Sequence, residues 1–149
     1  MVKRLYPKQP IVGVGAVIIC DGKILLEKRK NDPGKGKWSI PGGLVKLGEG
    51  VEQTVIREVK EETGLKVEKP EYIDIVDNII RDDNGEIKYH FVIIDYFVKL
   101  KGGTMKASSD AEELKWIGFK EVEKYDLTKT FREFFQTNRQ KLEKLNSSL

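Results

Sequence analysis

The chain opens with apolar runs of strand length. Val12 to Cys20 is a nearly unbroken apolar stretch and Lys23 to Arg29 is a second, with Asp21-Gly22 between them as a strong hairpin signal. Two antiparallel strands are predicted. Asn31 to Lys37, with Pro33, Gly34 and Gly36, reads as loop. The period then changes: Val51, Val55, Ile56 and Val59 recur at helical spacing, with Gly50 placed to open a helix and Gly64 to close it in the left-handed conformation. Val67 to Ile80 and Glu86 to Leu100 are rich in β-branched and aromatic residues around Asp82-Asp83-Asn84-Gly85, which predicts a long hairpin. Lys101-Gly102-Gly103 is expected to break its second strand. Leu114 to Phe119 adds a strand and Lys120 to Tyr125 a short helical turn. Phe131, Phe134, Phe135, Leu142 and Leu145 mark a final helix, for which Thr130 and Glu133 are spaced as a capping box. The sum is two helices and a mixed sheet of some seven strands, an α/β arrangement with helices on both faces.

Length and composition narrow this picture. A chain of 149 residues is the size of one domain, so residues 1–149 are read as a single unit. The best candidate for a membrane span, Ile11 to Cys20, falls far short of the roughly 20 residues required. Pro7 and Pro10 arrive before any continuous apolar core forms, which argues against a signal peptide and makes a cytoplasmic location the expectation. The single Cys20 excludes an internal disulfide and a cysteine-based zinc site, and its place at the end of an apolar run predicts a buried, inert thiol. A net charge of +3, interspersed rather than gathered in a basic stripe, does not predict nucleic-acid binding. Gly13-Val14-Gly15 lacks the third glycine and the following helix of a dinucleotide fingerprint, and reads as strand glycines. Lys28-Arg29-Lys30 is either a phosphate-facing edge beside the loop that follows or a solvated strand end.

The predicted first helix changes the picture most. At about 100° per residue, Glu58, Glu61 and Glu62 fall on one side, along the edge of the apolar face. Five acids in this segment (Glu49, Glu52, Glu58, Glu61, Glu62) less Arg57 and Lys60 leave a local charge of −3, opposite in sign to the whole chain. Like charges one turn apart repel, so the segment calls for a counter-charge. Hard divalent cations suit it, because Mg²⁺ takes oxygen ligands and is usually held by one or two carboxylates together with substrate phosphates.

The spacing of these residues is specific. Gly43, Glu49, Arg57, Glu58, Val59, Glu61, Glu62, Gly64 and Leu65 fill every fixed position of the signature of the Nudix hydrolases, and Gly43 to Leu65 resembles that family throughout. Ile24 to Arg29 and Gly36 to Gly42 are similar to the strand and entry before the signature, and Asp110 to Ile117 to the acidic loop and strand after it. Gly50 departs from the Ser or Thr that members often carry, though glycine remains an acceptable N-cap.

The resemblance implies an α/β/α sandwich and water-driven substitution at phosphorus in a nucleoside diphosphate derivative, with Mg²⁺ or Mn²⁺ as cofactor. It implies that Glu58, Glu61 and Glu62 are metal ligands, joined by a carbonyl at Gly42 or Gly43. Arg57 would orient Glu58 or a neighbour, and Glu49 would serve behind the ligands or as an outer one. Asp110, Glu112 and Glu113 are candidates for a further carboxylate acting as base or ligand, with plain surface acids as the alternative. Arg29 and Gly43 would face the substrate's phosphates. His90, the single histidine, is either a hydrogen-bonded structural residue or a reader of base or ribose, and Trp38 is expected in the core. The stretch from Asp110 to Trp116 looks most like ADP-ribose pyrophosphatases, but Ile80 and Arg81 stand where many of these carry proline. Clean-up of nucleoside triphosphates, oxidised ones included, is therefore the rival, and a non-catalytic nucleotide sensor a third reading. An isomerase of prenyl diphosphates needs a catalytic cysteine, and Cys20 lies in the wrong context. Family members often dimerise, so a homodimer is a possible assembly, without nucleic-acid or membrane partners.

Overall fold

The computed structural model describes residues 3–106 and 111–149, with the side chains of residues 111 and 112 outside the description. Seven strands run in the order β1 (Ile11–Cys20), β2 (Lys23–Arg29), β3 (Trp38–Ser39), β4 (Gly42–Leu44), β5 (Leu65–Arg81), β6 (Ile87–Gly103) and β7 (Ala111–Gly118). Helix α1 (Val51–Thr63) lies between β4 and β5. Helix α2 (Lys129–Ser147) ends the chain after a short 3₁₀ turn, Val122–Lys124. Neither helix is long and apolar enough to cross a membrane.

Strand β1 organises the sheet. Ile11 to Ile18 pair in parallel with Phe91 to Val98 of β6, while on its other side Gly13 to Gly15 pair antiparallel with β4 and Ile19 and Cys20 with β2. Strand β2 carries β3 and β7, and β5 lies outside β6. Alternate residues of β1 serve opposite faces, as strand geometry demands. Val17 and Ile19 join Phe131, Phe134, Phe135 and Leu142 of α2, whereas Val14, Ala16 and Ile18 join Val55 and Val59 of α1. A strand apolar on both faces is the mark of a sheet covered on both sides. The expected α/β layering, a mixed sheet between two helices, is what the structure shows.

Several boundaries differ from expectation. Strand β6 runs through Lys101-Gly102-Gly103 instead of breaking there. Gly64 ends α1 in the left-handed conformation (φ 77°), so β5 starts at Leu65 and offers β6 a partner, with Gly103 opposite Leu65. Helix α2 is capped not by Thr130 but by Thr128, whose side-chain oxygen accepts from the Phe131 N–H at 3.2 Å. The Thr128 N–H in turn donates to the Trp38 carbonyl at 3.0 Å, which fixes the helix start two residues early. Cys20 is half-buried rather than buried, since it borders the Asp21-Gly22 turn. Trp38 lies in the core as expected, edge-on to Tyr125 at 5.5 Å.

The face of α2 stands or falls on its phenylalanines. Phe135 is fully buried, with its ring against Phe119 and Phe131. Phe135→Ala is expected to lower unfolding free energy by about 3–5 kcal/mol through lost transfer energy and the cavity left behind. Urea unfolding checks it, read as a lower midpoint at unchanged slope.

Candidate active site

The acidic helix meets the glycine turn at one place. Gly42 and Gly43 of β4 pair with Gly15 and Val14 of β1, which brings their backbone beneath the side of α1 that carries Glu58 and Glu62. The Gly42 N–H donates to Glu62 Oε2 at 3.0 Å. A β-carbon on residue 43 would fall on the Glu58 carboxyl, so only glycine leaves that carboxyl its place. Two helix caps hold the register. The Gly50 N–H donates to the Gln53 side chain at 3.1 Å, and the Gly64 N–H to the Lys60 carbonyl at 2.9 Å.

Arg57 ties the remaining acids together. Its Nε and Nη2 donate to the two oxygens of Glu49 at 2.7 and 2.8 Å, and its Nη1 to Glu58 at 2.7 Å and Glu61 at 3.1 Å. Nη2 also reaches the Leu44 carbonyl at 3.2 Å, which anchors the fork to β4. The guanidinium, helped by the Thr54 hydroxyl, holds the Glu49 carboxyl down to about 2. One guanidinium facing three carboxylates leaves this corner acidic, and Glu62 adds to the excess. Burial pushes the Glu62 carboxyl up to about 7, against the Gly42 N–H. The neighbouring Glu58 charge raises it further, while Glu27 and Arg29 pull it down.

Such a corner fits a hard cation. Its donors are carboxylate and backbone oxygens, the negative charge exceeds the positive, and the bare backbone at Gly43 lets the Glu58 carboxyl lie against it. It is not a finished cage. Among the described residues no three acids, histidines or cysteines converge as a ready-made metal cluster. Glu61 stands apart from Glu58 and Glu62, its side chain 55% exposed and turned to Arg57. An ion here would draw its other ligands from water and substrate phosphate, as Mg²⁺ commonly does.

Gly42, Gly43, Glu58, Glu62 and Arg29 line a single cleft of about 1150 Å³. That is ample for a nucleotide derivative. Arg29, at the end of β2, is steadied by donating from Nε to the Pro33 carbonyl at 2.7 Å. The other sequence candidates lie elsewhere. His90 is not among the cleft residues: Phe91 is, and alternation along β6 sends His90 to the opposite face. Glu113 is exposed on β7 and pairs with Lys115 at 3.5 Å, away from the cleft. The side chain of Glu112 and the whole of Asp110 lie outside the described residues.

Two buried acids of the cleft escaped the sequence reading. Glu27 of β2 is 3% exposed and hydrogen-bonds Glu62, and Asp95 of β6 is 4% exposed. The available signal was an acid interrupting an apolar strand, Leu25-Leu26-Glu27 and Ile93-Ile94-Asp95.

Comparisons with known proteins agree with this geometry. The family model for the NUDIX domain matches residues 9–137. An ADP-ribose pyrophosphatase of Methanocaldococcus jannaschii is 38% identical over 135 residues, which covers 89% of this chain and 77% of that protein. Among solved structures, a MutT NUDIX hydrolase from Burkholderia pseudomallei superposes with a TM-score of 0.70 at 37% identity, covering 84% of this chain and 95% of its own. The NUDIX domain of Shewanella oneidensis NrtR, solved in complex with ADP ribose, gives 0.74 at 27% identity, covering 91% and 90%.

Asp95 supplies a pH signature for the folded state. Burial, and then the charge of Asp74, push its carboxyl from an ordinary 3.8 up to about 8. Between these values the unfolded chain has lost a proton that the folded chain keeps, so rising pH favours unfolding. Stability of the wild type is expected to fall relative to Asp95→Asn as pH rises from about 4 to about 8. Urea unfolding of both proteins at pH 5 and pH 8.5 measures the difference.

Proposed function

This chain belongs to the Nudix hydrolase family, and we propose that it adds water across the diphosphate linkage of a nucleoside diphosphate derivative, with ADP-ribose the leading substrate. The carrying observation is the meeting of Glu58 and Glu62 over the Gly42–Gly43 backbone inside a cleft of nucleotide size. The Methanocaldococcus pyrophosphatase and the ADP-ribose-bound Shewanella domain both support the substrate.

Glu58, Glu62 and the Gly42 carbonyl would hold Mg²⁺ or Mn²⁺, with Glu61 joining from the rim by turning away from Arg57. When bound, a divalent cation neutralises phosphate charge and lowers the pKa of a coordinated water. The protein's part is placement. Arg57 keeps Glu58 and Glu49 in fixed rotamers through its fork, anchored at both carboxylate oxygens of Glu49 and at the Leu44 carbonyl. Gly43 admits a phosphate close to the Glu58 carboxyl. Arg29, held by Pro33, offers its guanidinium to a phosphate oxygen from the β2 side of the cleft. For ADP-ribose, water breaks one P–O bond of the bridge and the products are AMP and ribose 5-phosphate.

A panel of ADP-ribose, nucleotide sugars and ordinary and oxidised nucleoside triphosphates, with Mg²⁺ present and products separated by chromatography, tests the substrate. AMP from ADP-ribose at the highest kcat/KM supports it. Preferred release of diphosphate from triphosphates replaces it with the clean-up reading, and tight binding without turnover replaces it with the sensor reading. Glu58→Gln and Glu62→Gln are each expected to cut turnover by on the order of 10² or more, and wild-type rates in both variants would remove these residues from the site. Gly43→Ala should act in the same direction by displacing Glu58, with unfolding measured alongside to separate the local effect from loss of fold.

A further inference from the structure

The cleft holds an acid that the reaction above does not use. Alternation along β6 puts Phe91, Ile93, Asp95 and Phe97 on one face, and the first three line the cleft. Asp95 is 4% exposed, yet no hydrogen bond or ion pair to its carboxyl is found among the described residues. Its neighbour in register on β5 is another acid, Asp74, whose own oxygens accept from Asn138 and from the Ile75 N–H. Its neighbour in register on β1 is Gly15, and a β-carbon there would strike Asp95 Oδ1 and the end of Ile40. The absence of a side chain at residue 15 is what lets the carboxyl lean across β1 at the floor of the cleft.

We propose that Asp95 is a specificity-determining residue, whose carboxyl accepts a hydrogen bond from the exocyclic amino group of the substrate's nucleobase. This rests on the reading of the cleft as the site of a nucleoside diphosphate derivative. Gly15 lies between Asp95 on β6 and Gly42 on β4, and the Asp95 carboxyl leans over Gly15, so its acceptor lies one strand spacing, roughly 5 Å, from the β4 backbone. A nucleoside reaches this acceptor when its phosphates lie beyond Gly42, toward Arg29 and Glu58, which line the same cleft. Ile40, Ile93, Phe91 and Phe131 give the intervening cleft flat apolar walls, which suit a base better than a hydrated sugar. A carboxyl keeps an acceptor oxygen whether ionised or protonated, so the contact survives the raised affinity of Asp95 for its proton. A buried acceptor left empty discriminates against any base without the matching donor.

The test pairs adenine with unsubstituted purine, which differs only in lacking the amino group. Wild type is expected to favour ADP-ribose over its purine analogue by about tenfold or more in kcat/KM. In Asp95→Ala the ratio should fall to within about threefold of unity, while Asp95→Asn, whose amide oxygen still accepts, should keep most of it. Asp95→Leu, which keeps the branch at Cγ and has no acceptor, repeats the test if the alanine variant fails to fold. Calorimetric binding of AMP and of purine riboside monophosphate in EDTA gives a readout that needs neither turnover nor metal. A protein that binds AMP selectively through Asp95 but hydrolyses nothing in the panel sinks the enzymatic reading and leaves this inference standing. An unchanged selectivity in Asp95→Ala and Asp95→Leu overturns it, as does an equal loss for both bases, which would assign the carboxyl to the ribose or to packing.

Discussion

The constraint on which the site depends is the contact between the Glu58 carboxyl and the backbone of Gly43. A carboxylate can lie flat against a strand only if that strand carries no side chain there, and only if the helix bearing it is fixed in rotation and height. Everything nearby enforces those conditions. Pairing with β1 places β4, Gly64 stops α1 in register, and Val55 and Val59, both fully buried, prevent the helix from rolling. A mild change at any of these points would displace Glu58 before it unfolded the protein.

Charge is arranged with the same economy. Arg57 faces three acids and satisfies two of them by close hydrogen bonds, so the corner is strained toward accepting a cation without being neutral in its absence. Glu62 is treated differently. It is buried, bound to the Gly42 N–H and to Glu27, and shifted toward its protonated form. The two carboxylates nearest the glycine turn therefore differ in character, one pinned by a guanidinium and the other by burial.

Much of this was written in the sequence because it is local. Gly50, the Val55 and Val59 stripe, and Gly64 define α1, and the acids follow at one-turn spacing. The long β5–β6 hairpin was legible from its turn for the same reason. What escaped depended on distant partners. The strands Trp38–Ser39 and Gly42–Leu44 are too short to show a period, and exist because β2 and β1 lie beside them. The cap at Thr128 is chosen by Trp38, ninety residues earlier, over the better-spaced Thr130. His90 and Asp95 illustrate the limit at the site itself. Residue type made the histidine a candidate, either structural or a reader of base or ribose, but the parity of β6 turns it away from the cleft and turns an inconspicuous aspartate into it.

The parallel seam between β1 and β6 joins residues about eighty positions apart, from Ile11 with Phe91 to Ile18 with Val98. Closing so large a loop is slow relative to forming the α1 helix or the β5–β6 hairpin, whose contacts are near in sequence. Gly13, Gly15, Ile93 and Asp95 all sit on that seam, so the floor of the cleft is assembled by a strongly non-local event in folding. The acidic helix can form early, but the chamber it serves comes into being only when the two ends of the sheet meet.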